Sequence, residues 1–351
     1  MLKLFQTLNR VALIKATIAA IILIIIVFIG SRNLQNFDAA LIAYLFGTIF
    51  AVFGIAYRYS VWLQRPPTRL YWRRSMQFLF SKDFFTYAGR SGFLFGRNIL
   101  AQRFIAYRSK TRWWGHFLLA TGCMLSFAIT IPLTFGWIHF TLEPGTYDIY
   151  NANFFGFKVG SFELGGPISF LAFKALFLTS FPVIIGAIIM MKRRVKDGGL
   201  IATQTLDGDW LPLILLIAIS VTGLGIGYDY TFLEGRTHQF MAVTHAITVI
   251  LFLIWLPFGK FFHIFQRLAQ LGANLYKIEG TKRGMATCPH TKEAFATQTH
   301  INDLKKVTKE LGFDFTLADG SSHLDLSPEG KRSALAKAHF EARKASGKFF
   351  G

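Results

Sequence analysis

Six stretches of this chain are too long and too apolar for a soluble domain: residues 12–30, 39–58, 114–137, 167–191, 211–229 and 238–259. About 20 apolar residues in a helix cross the hydrocarbon core of a bilayer. Inside lipid, every backbone N–H and C=O must be satisfied within the segment, so each stretch is expected to be helical. The sequence therefore predicts an all-α integral membrane protein, a six-helix transmembrane bundle. The first stretch follows Lys3, Arg10 and Lys15, as a signal peptide would, but "IGSRNLQN" offers no small-residue cleavage site. It reads as a retained anchor.

Charge orients the bundle. Between the second and third spans, residues 58–112 carry twelve lysines and arginines against the single acid Asp83, and "KRR" with Lys196 follows the fourth span. Segment 138–165 sets Lys158 against Glu143, Asp148 and Glu163, and 230–237 holds only Glu234 and Arg236. The positive-inside rule places both termini, 58–112, 192–210 and 260–351 in the cytoplasm of a multi-pass inner (cytoplasmic) membrane protein. The formal charge of +19 thus belongs to topology, and no nucleic-acid partner is expected. The expected divisions are an N-terminal anchor (1–38), a core (39–270) with its basic loop 58–112, and a cytoplasmic tail (271–351). Cys123 and Cys288 are the only cysteines, too few for a disulfide framework or a cysteine-ligated cluster. Iron–sulfur chemistry would have to sit on another chain.

Histidine inside a span is costly and usually functional. His245 and His263 stand eighteen residues apart around an apolar run; on one continuous helix they would share a face about 27 Å apart, with Pro257 adding a kink. His116 lies just inside the third span at the same cytoplasmic level as His263. A single buried imidazole can be satisfied by a carbonyl or a water. Two at one level on facing helices match the axial ligands of a bis-histidine haem, and His116 with His263 is the expected pair.

The runs "AVFGIAYRYSVWLQ", "WWGHFLLATGCMLSFAI", "IIGAIIMMKRRVKDGG" and "LPFGKFFHIFQR" together resemble the membrane cytochrome b (gamma) subunit of respiratory nitrate reductase. They are also similar to the membrane subunits of heterodisulfide-reductase-type complexes. The resemblance covers about residues 40–270, a five-helix core, and leaves the first span outside it. It implies haem b between the helices and electron transfer between membrane quinol or quinone and cytoplasmic iron–sulfur or molybdopterin redox subunits. It assigns His116 and His263 to an inner haem and His245 to an outer one.

At one point the chain departs from that pattern: the expected second outer ligand, ten residues after His116, is Ser126. Lys174 lies near the depth of His245 and either ligates an outer iron as a neutral amine or snorkels to the interface. One or two haems are therefore expected. His238, seven residues before His245, sits at the water boundary and suits the vicinity of a quinone. His139 reads as interfacial, and Cys123 and Met124 as packing. The competing functional reading is a cofactor-free transporter or anchor subunit whose histidines relay protons or pack.

The tail reads as a small docking module. "HINDLKKVTKELGF" is an amphipathic helix with Ile301, Leu304, Val307 and Leu311 on one stripe. "SPEGKRSALAKAHFEARKA" is a second helix capped by Ser327 with Pro328 in its first turn, and a hairpin is expected at Asp319-Gly320. Cys288, His290 and His323 are the residues that could hold a metal there. The aromatic and basic loop 58–112 is expected to lie on anionic lipid or to meet a partner.

Overall fold

The structure is a computed structural model, and it describes residues 9–317 and 319–347. In chain order it contains α1 (Arg10–Gly30), α2 (Ile42–Gln64), α3 (Pro66–Leu79), α4 (Phe84–Phe95) and α5 (Lys110–Thr134). Three strands follow, β1 (Ile138–Leu142), β2 (Ile149–Phe154) and β3 (Phe157–Glu163), then α6 (Pro167–Lys196), α7 (Leu211–Phe232), α8 (His238–Trp255) and α9 (His263–Lys282). The tail adds β4 (Met285–Thr287), β5 (Ala294–Thr297), α10 (Gln298–Glu310) and α11 (Pro328–Ala345). Six helices are long and apolar enough to cross a membrane, and they coincide with the six stretches read from the sequence. The protein is mostly helical and multi-pass.

The described chain forms two compact units: Met1–Val61 with Gly96–Gln266, and Trp62–Phe95 with Arg267–Gly351. In the first unit, α5 and α6 pack where side chains are missing. A Cβ on Gly186 would lie 2.5 Å from the Leu119 nitrogen and 2.6 Å from the Gly115 oxygen, and one on Gly122 would lie 2.7 Å from Val183 Cγ2. Small residues let the backbones approach, as helix pairs in lipid require. Around this seam, Val183, Leu215, Leu216, Phe252 and Leu253 form the buried core.

Two features depart from the sequence expectation. The first is a three-stranded antiparallel meander between α5 and α6, in the order β1-β2-β3, within a chain expected to be all-α. β2 turns into β3 through Phe155 (φ 50°) and Gly156 (φ 79°), the positive-φ pair of a tight hairpin. Phe140, Tyr150 and Phe162 then pack on Phe173 at the start of α6, at ring separations of 5.4 to 6.0 Å.

The second departure is a break between His245 and His263. Helix α8 ends at Trp255, a 3-10 turn spans Lys260–Phe262, and His263 opens a new helix. Five continuous turns between the two histidines do not exist. Pro257 lacks an N–H and cannot continue the ladder. Arg58 of α2 then takes the corner: its Nη1 donates to the carbonyls of Pro257 (2.6 Å), Phe258 (2.8 Å) and Gly259 (3.2 Å). Its guanidinium lies 4.3 Å from the Phe262 ring centre. Gly54, one turn earlier on α2, allows this approach, since a Cβ there would lie 2.7 Å from Pro257 Cγ.

In the second unit, α3 and α4 of the basic loop pack with the tail. Arg74 donates to both carboxylate oxygens of Asp303 on α10, at 2.9 and 3.2 Å, and Tyr276 of α9 donates to the same carboxylate at 3.0 Å. Arg69 pairs with Glu310, and Tyr87 donates to Glu279. Part of the basic charge read as lipid-facing thus neutralises acids of its own chain. Ser327 caps α11 by accepting from the Gly330 N–H (3.0 Å), with Pro328 in the first turn as expected. Ile301 and Val307 are buried on the α10 stripe, whereas Leu311 falls past the end of the helix and is exposed. The Asp319-Gly320 turn is closed by a Leu317 N–H to Ser321 carbonyl bond of 2.8 Å and a Thr316–Ser322 bridge.

Candidate functional site

His116 lies in the second turn of α5, whose first turn is capped by Ser109 accepting from the Arg112 N–H. Ahead of it, Gln102 turns the chain at φ 51° and is buried. The Trp113 indole N–H donates to the Ala101 carbonyl at 2.9 Å and fixes this corner against α5. Gln102 thereby presents Oε1 to His116 Nδ1 at 2.7 Å. His263, first residue of α9, directs Nδ1 to the Lys260 carbonyl at 2.5 Å.

Both Nδ1 atoms therefore donate a proton to an oxygen acceptor, which places the ring lone pair on Nε2. This is the tautomer and the orienting bond of metal-ligating histidine. The two rings have centroids 6.4 Å apart with planes inclined at 66°. Two metal–imidazole bonds of about 2 Å, each plus about 1 Å to the ring centre, put the centroids of axial ligands about 6 Å apart. The donor set and its spacing fit a bis-histidine haem. Sequence depth alone paired these residues, and the structure brings them together.

Charge surrounds His263. It lines a polar cavity of about 360 Å³ with Arg58, Lys260, Trp255 and Gln266. Asp209 accepts from Lys260 (2.6 Å) and from Arg194 of the "KRR" run (2.5 Å), tying the end of α6 and the start of α7 to the turn that carries His263. The buried Trp255 Nε1 has no hydrogen-bond partner among the described residues.

His245 sits apart, in α8. Its Nδ1 is 2.9 Å from Thr222 Oγ1, and that hydroxyl gives its own proton to the Ala218 carbonyl at 2.7 Å. The same hydroxyl lies 3.1 Å from the Ile219 carbonyl and 3.2 Å from Thr248 Oγ1. His245 lines a largely apolar, half-open cavity of about 350 Å³ whose walls come from α2, α5, α6, α7 and α8. Gly223 lets the imidazole lie against α7, since a Cβ there would be 3.3 Å from His245 Cε1.

The other sequence candidates are scattered. Ser126 lines the cavity but donates to Thr179 Oγ1 at 2.9 Å. Lys174 is not among the lining residues; its ammonium lies 5.6 Å from the Tyr230 ring centre. His238 is exposed at the first position of α8. His139 Nδ1 lies 3.2 Å from the Gly136 carbonyl, and Cys123 lines the cavity of His245. Among the described residues, no group of three or more His, Cys, Asp or Glu comes together, Cys288, His290 and His323 included. Gln102, Arg58 and Thr222, which orient the histidines, carry no motif by which sequence reasoning could find them. No family profile, curated protein or solved structure matches the chain.

Proposed function

We propose that this chain is a haem b membrane subunit of a respiratory oxidoreductase, carrying electrons between membrane quinol or quinone and a cytoplasmic iron–sulfur or molybdopterin partner. The observation that supports this reading is the His116–His263 pair, 6.4 Å apart with each Nδ1 held by an oxygen. Haem bound there would supply reversible one-electron chemistry at the iron.

In this reading the protein binds, orients and tunes. His116 and His263 would hold the haem iron, while Gln102 and the Lys260 carbonyl fix the ring planes and would raise the basicity of the two imidazoles. Arg58 holds the broken corner that delivers His263. By the positive-inside rule this pair would lie at the cytoplasmic face of the inner membrane, with both termini inside. Electrons would leave there for a partner that brings its own clusters, since two cysteines cannot hold one.

The test is optical. The purified chain should show a Soret band and a dithionite-reduced alpha band of b type, and His116→Ala and His263→Ala should each remove the same component. A colourless protein from haem-replete cells sinks the reading. Different spectral losses in the two variants would break the pairing.

A further inference from the structure

In the second unit, the elbow formed by α3 and α4 packs one face on the tail and leaves the other bare. We propose that the bare face is an anionic-lipid site, in which its aromatic rings enter the bilayer interface and Arg73, Lys82 and Arg90 meet lipid phosphates. This goes beyond the haem reading and does not depend on it.

Two sides of α3 divide the work. Tyr71, Arg74, Ser75 and Phe78, spaced i, i+3, i+4 and i+7, share the side that meets the tail. The Tyr71 and Tyr276 rings lie 4.8 Å apart, Arg74 pairs with Asp303, and Arg283 lies 5.0 Å from the Phe78 ring centre. Trp72, Arg73 and Phe80 fall on the other side and are exposed, Phe80 by 72%.

Helix α4 repeats the division. Tyr87 is buried and donates to Glu279. Phe85 and Phe93, about two turns apart on one side, are 87% and 66% exposed. A Cβ on Gly89, between them, would meet nothing within 4 Å. Across the elbow, Phe80 stacks with Phe84 at 6.1 Å, and Phe84 meets Phe85 edge-on at 5.4 Å. These three rings form one continuous ridge.

Charge selects the occupant. Residues 66–95 carry five arginines and lysines against Asp83 alone. Arg69 and Arg74 are spent on Glu310 and Asp303, while Arg73, Lys82 and Arg90 stay exposed. Rings interleaved with cations suit the headgroup level of an anionic bilayer, where rings reach hydrocarbon and cations reach phosphate. Connectivity puts that level within reach, because Arg65 alone separates α3 from the span α2. A lipid-bound elbow would hold the tail at the membrane surface through its other side.

The test uses the full chain in lipid nanodiscs of phosphatidylcholine, alone or mixed equally with phosphatidylglycerol. In a Cys123→Ser, Cys288→Ser background, an environment-sensitive fluorophore is attached at Phe85→Cys, at Phe93→Cys or, as a control on α11, at Lys337→Cys. In mixed discs we expect the labels at 85 and 93 to be shielded from acrylamide at least threefold relative to the control. Lipid carrying a nitroxide high on its acyl chain should quench them. Molar salt, which needs no mutation, should reduce the shielding. Reversing the charges together (Arg73→Glu, Lys82→Glu, Arg90→Glu) should remove the difference between the two kinds of disc. Acrylamide access at 85 and 93 equal to the control in mixed discs would overturn the proposal. Shielding without nitroxide quenching would overturn it in favour of a protein contact, and shielding equal in both lipids would deny the role of charge and overturn it as well. None of these readings requires haem, so a colourless protein leaves the test intact.

Discussion

Gln102 Oε1 accepts from His116 Nδ1 at 2.7 Å while Gln102 itself holds a left-handed backbone, φ 51°. A non-glycine residue there costs about 1–2 kcal/mol, which its neighbours must offset. The Trp113–Ala101 bond is one such neighbour. Replacing Gln102 by Leu removes the acceptor and should lower haem affinity about 10- to 100-fold, read as faster haem transfer to apomyoglobin. Gln102→Gly suits the backbone but lacks the amide, and should lose haem likewise. Retention equal to wild type in both would deny Gln102 any role in orienting His116.

Arg58 acts on His263, the second residue of the proposed pair, through the turn that carries it. Arg58→Met keeps the stem but withdraws the three bonds to the carbonyls of Pro257, Phe258 and Gly259. Its haem spectrum should broaden and shift in the component that His263→Ala removes, with the helical content unchanged. Gly54→Val, which crowds Pro257 from the same helix, should do the same. A spectrum indifferent to both variants would mean that the corner holds itself.

In the second unit, Asp303 has a 3% exposed side chain and accepts from Arg74 and Tyr276. Breaking one side of such a pair strands the other. Arg74→Met should cost about 2–3 kcal/mol, less than a fully buried pair would, because Arg74 is 29% exposed. Tyr276→Phe should cost about 1.5–3 kcal/mol, as for a hydrogen bond to a charged group. Denaturant midpoints of the full chain, followed by protease cleavage within 267–347, would measure both. No shift in Arg74→Met would show the pair to be ornamental.

Cys288 provides a pH dependence. Its thiol is buried, which opposes the thiolate, but hydrogen bonds from Ser327 and Thr291, side chain and backbone, outweigh that and lower its pKa from the ordinary 9.0 to about 6. The folded value lies below the unfolded one, so the stabilisation is complete above about 9 and is lost as pH falls through about 6. Between those limits stability should rise with pH. In a Cys123→Ser background, thiolate absorbance near 240 nm should titrate around pH 6. The Cys288→Ser variant should lose the slope of melting temperature against pH across that window. A titration near 9 would refute the assignment.

What sequence made legible is the level of each residue along the bundle. Charged loops mark the ends of spans, so His116 and His263 can be placed at one depth from the order of residues alone. What it left hidden is lateral. Gln102 lies in a loop where no periodicity says which way a side chain points. Pro257 is readable as a kink, but its becoming a full break depended on Arg58 from another span supplying donors. Arg74 looks like its basic neighbours until Asp303 is found beside it. The meander was concealed differently: "IYNANF" and "FKVGSFE" carry no strict apolar–polar alternation that would announce strands. Nothing local separates Lys174 from His245, and only the lining of the cavity does so.

The seam of Gly115, Gly122 and Gly186 between α5 and α6 ends where the cavity begins: Cys123, Ser126 and Phe127 on one helix and Val183 and Ser180 on the other already line it. The seam therefore behaves as the pivot of a pair of callipers. The opening farther along is gauged by atoms missing at the pivot, and residues that never touch an occupant set its width. A single methyl at Gly186 would spread the arms without altering one wall residue. Such a change would alter the width of the cavity while every lining side chain kept its identity.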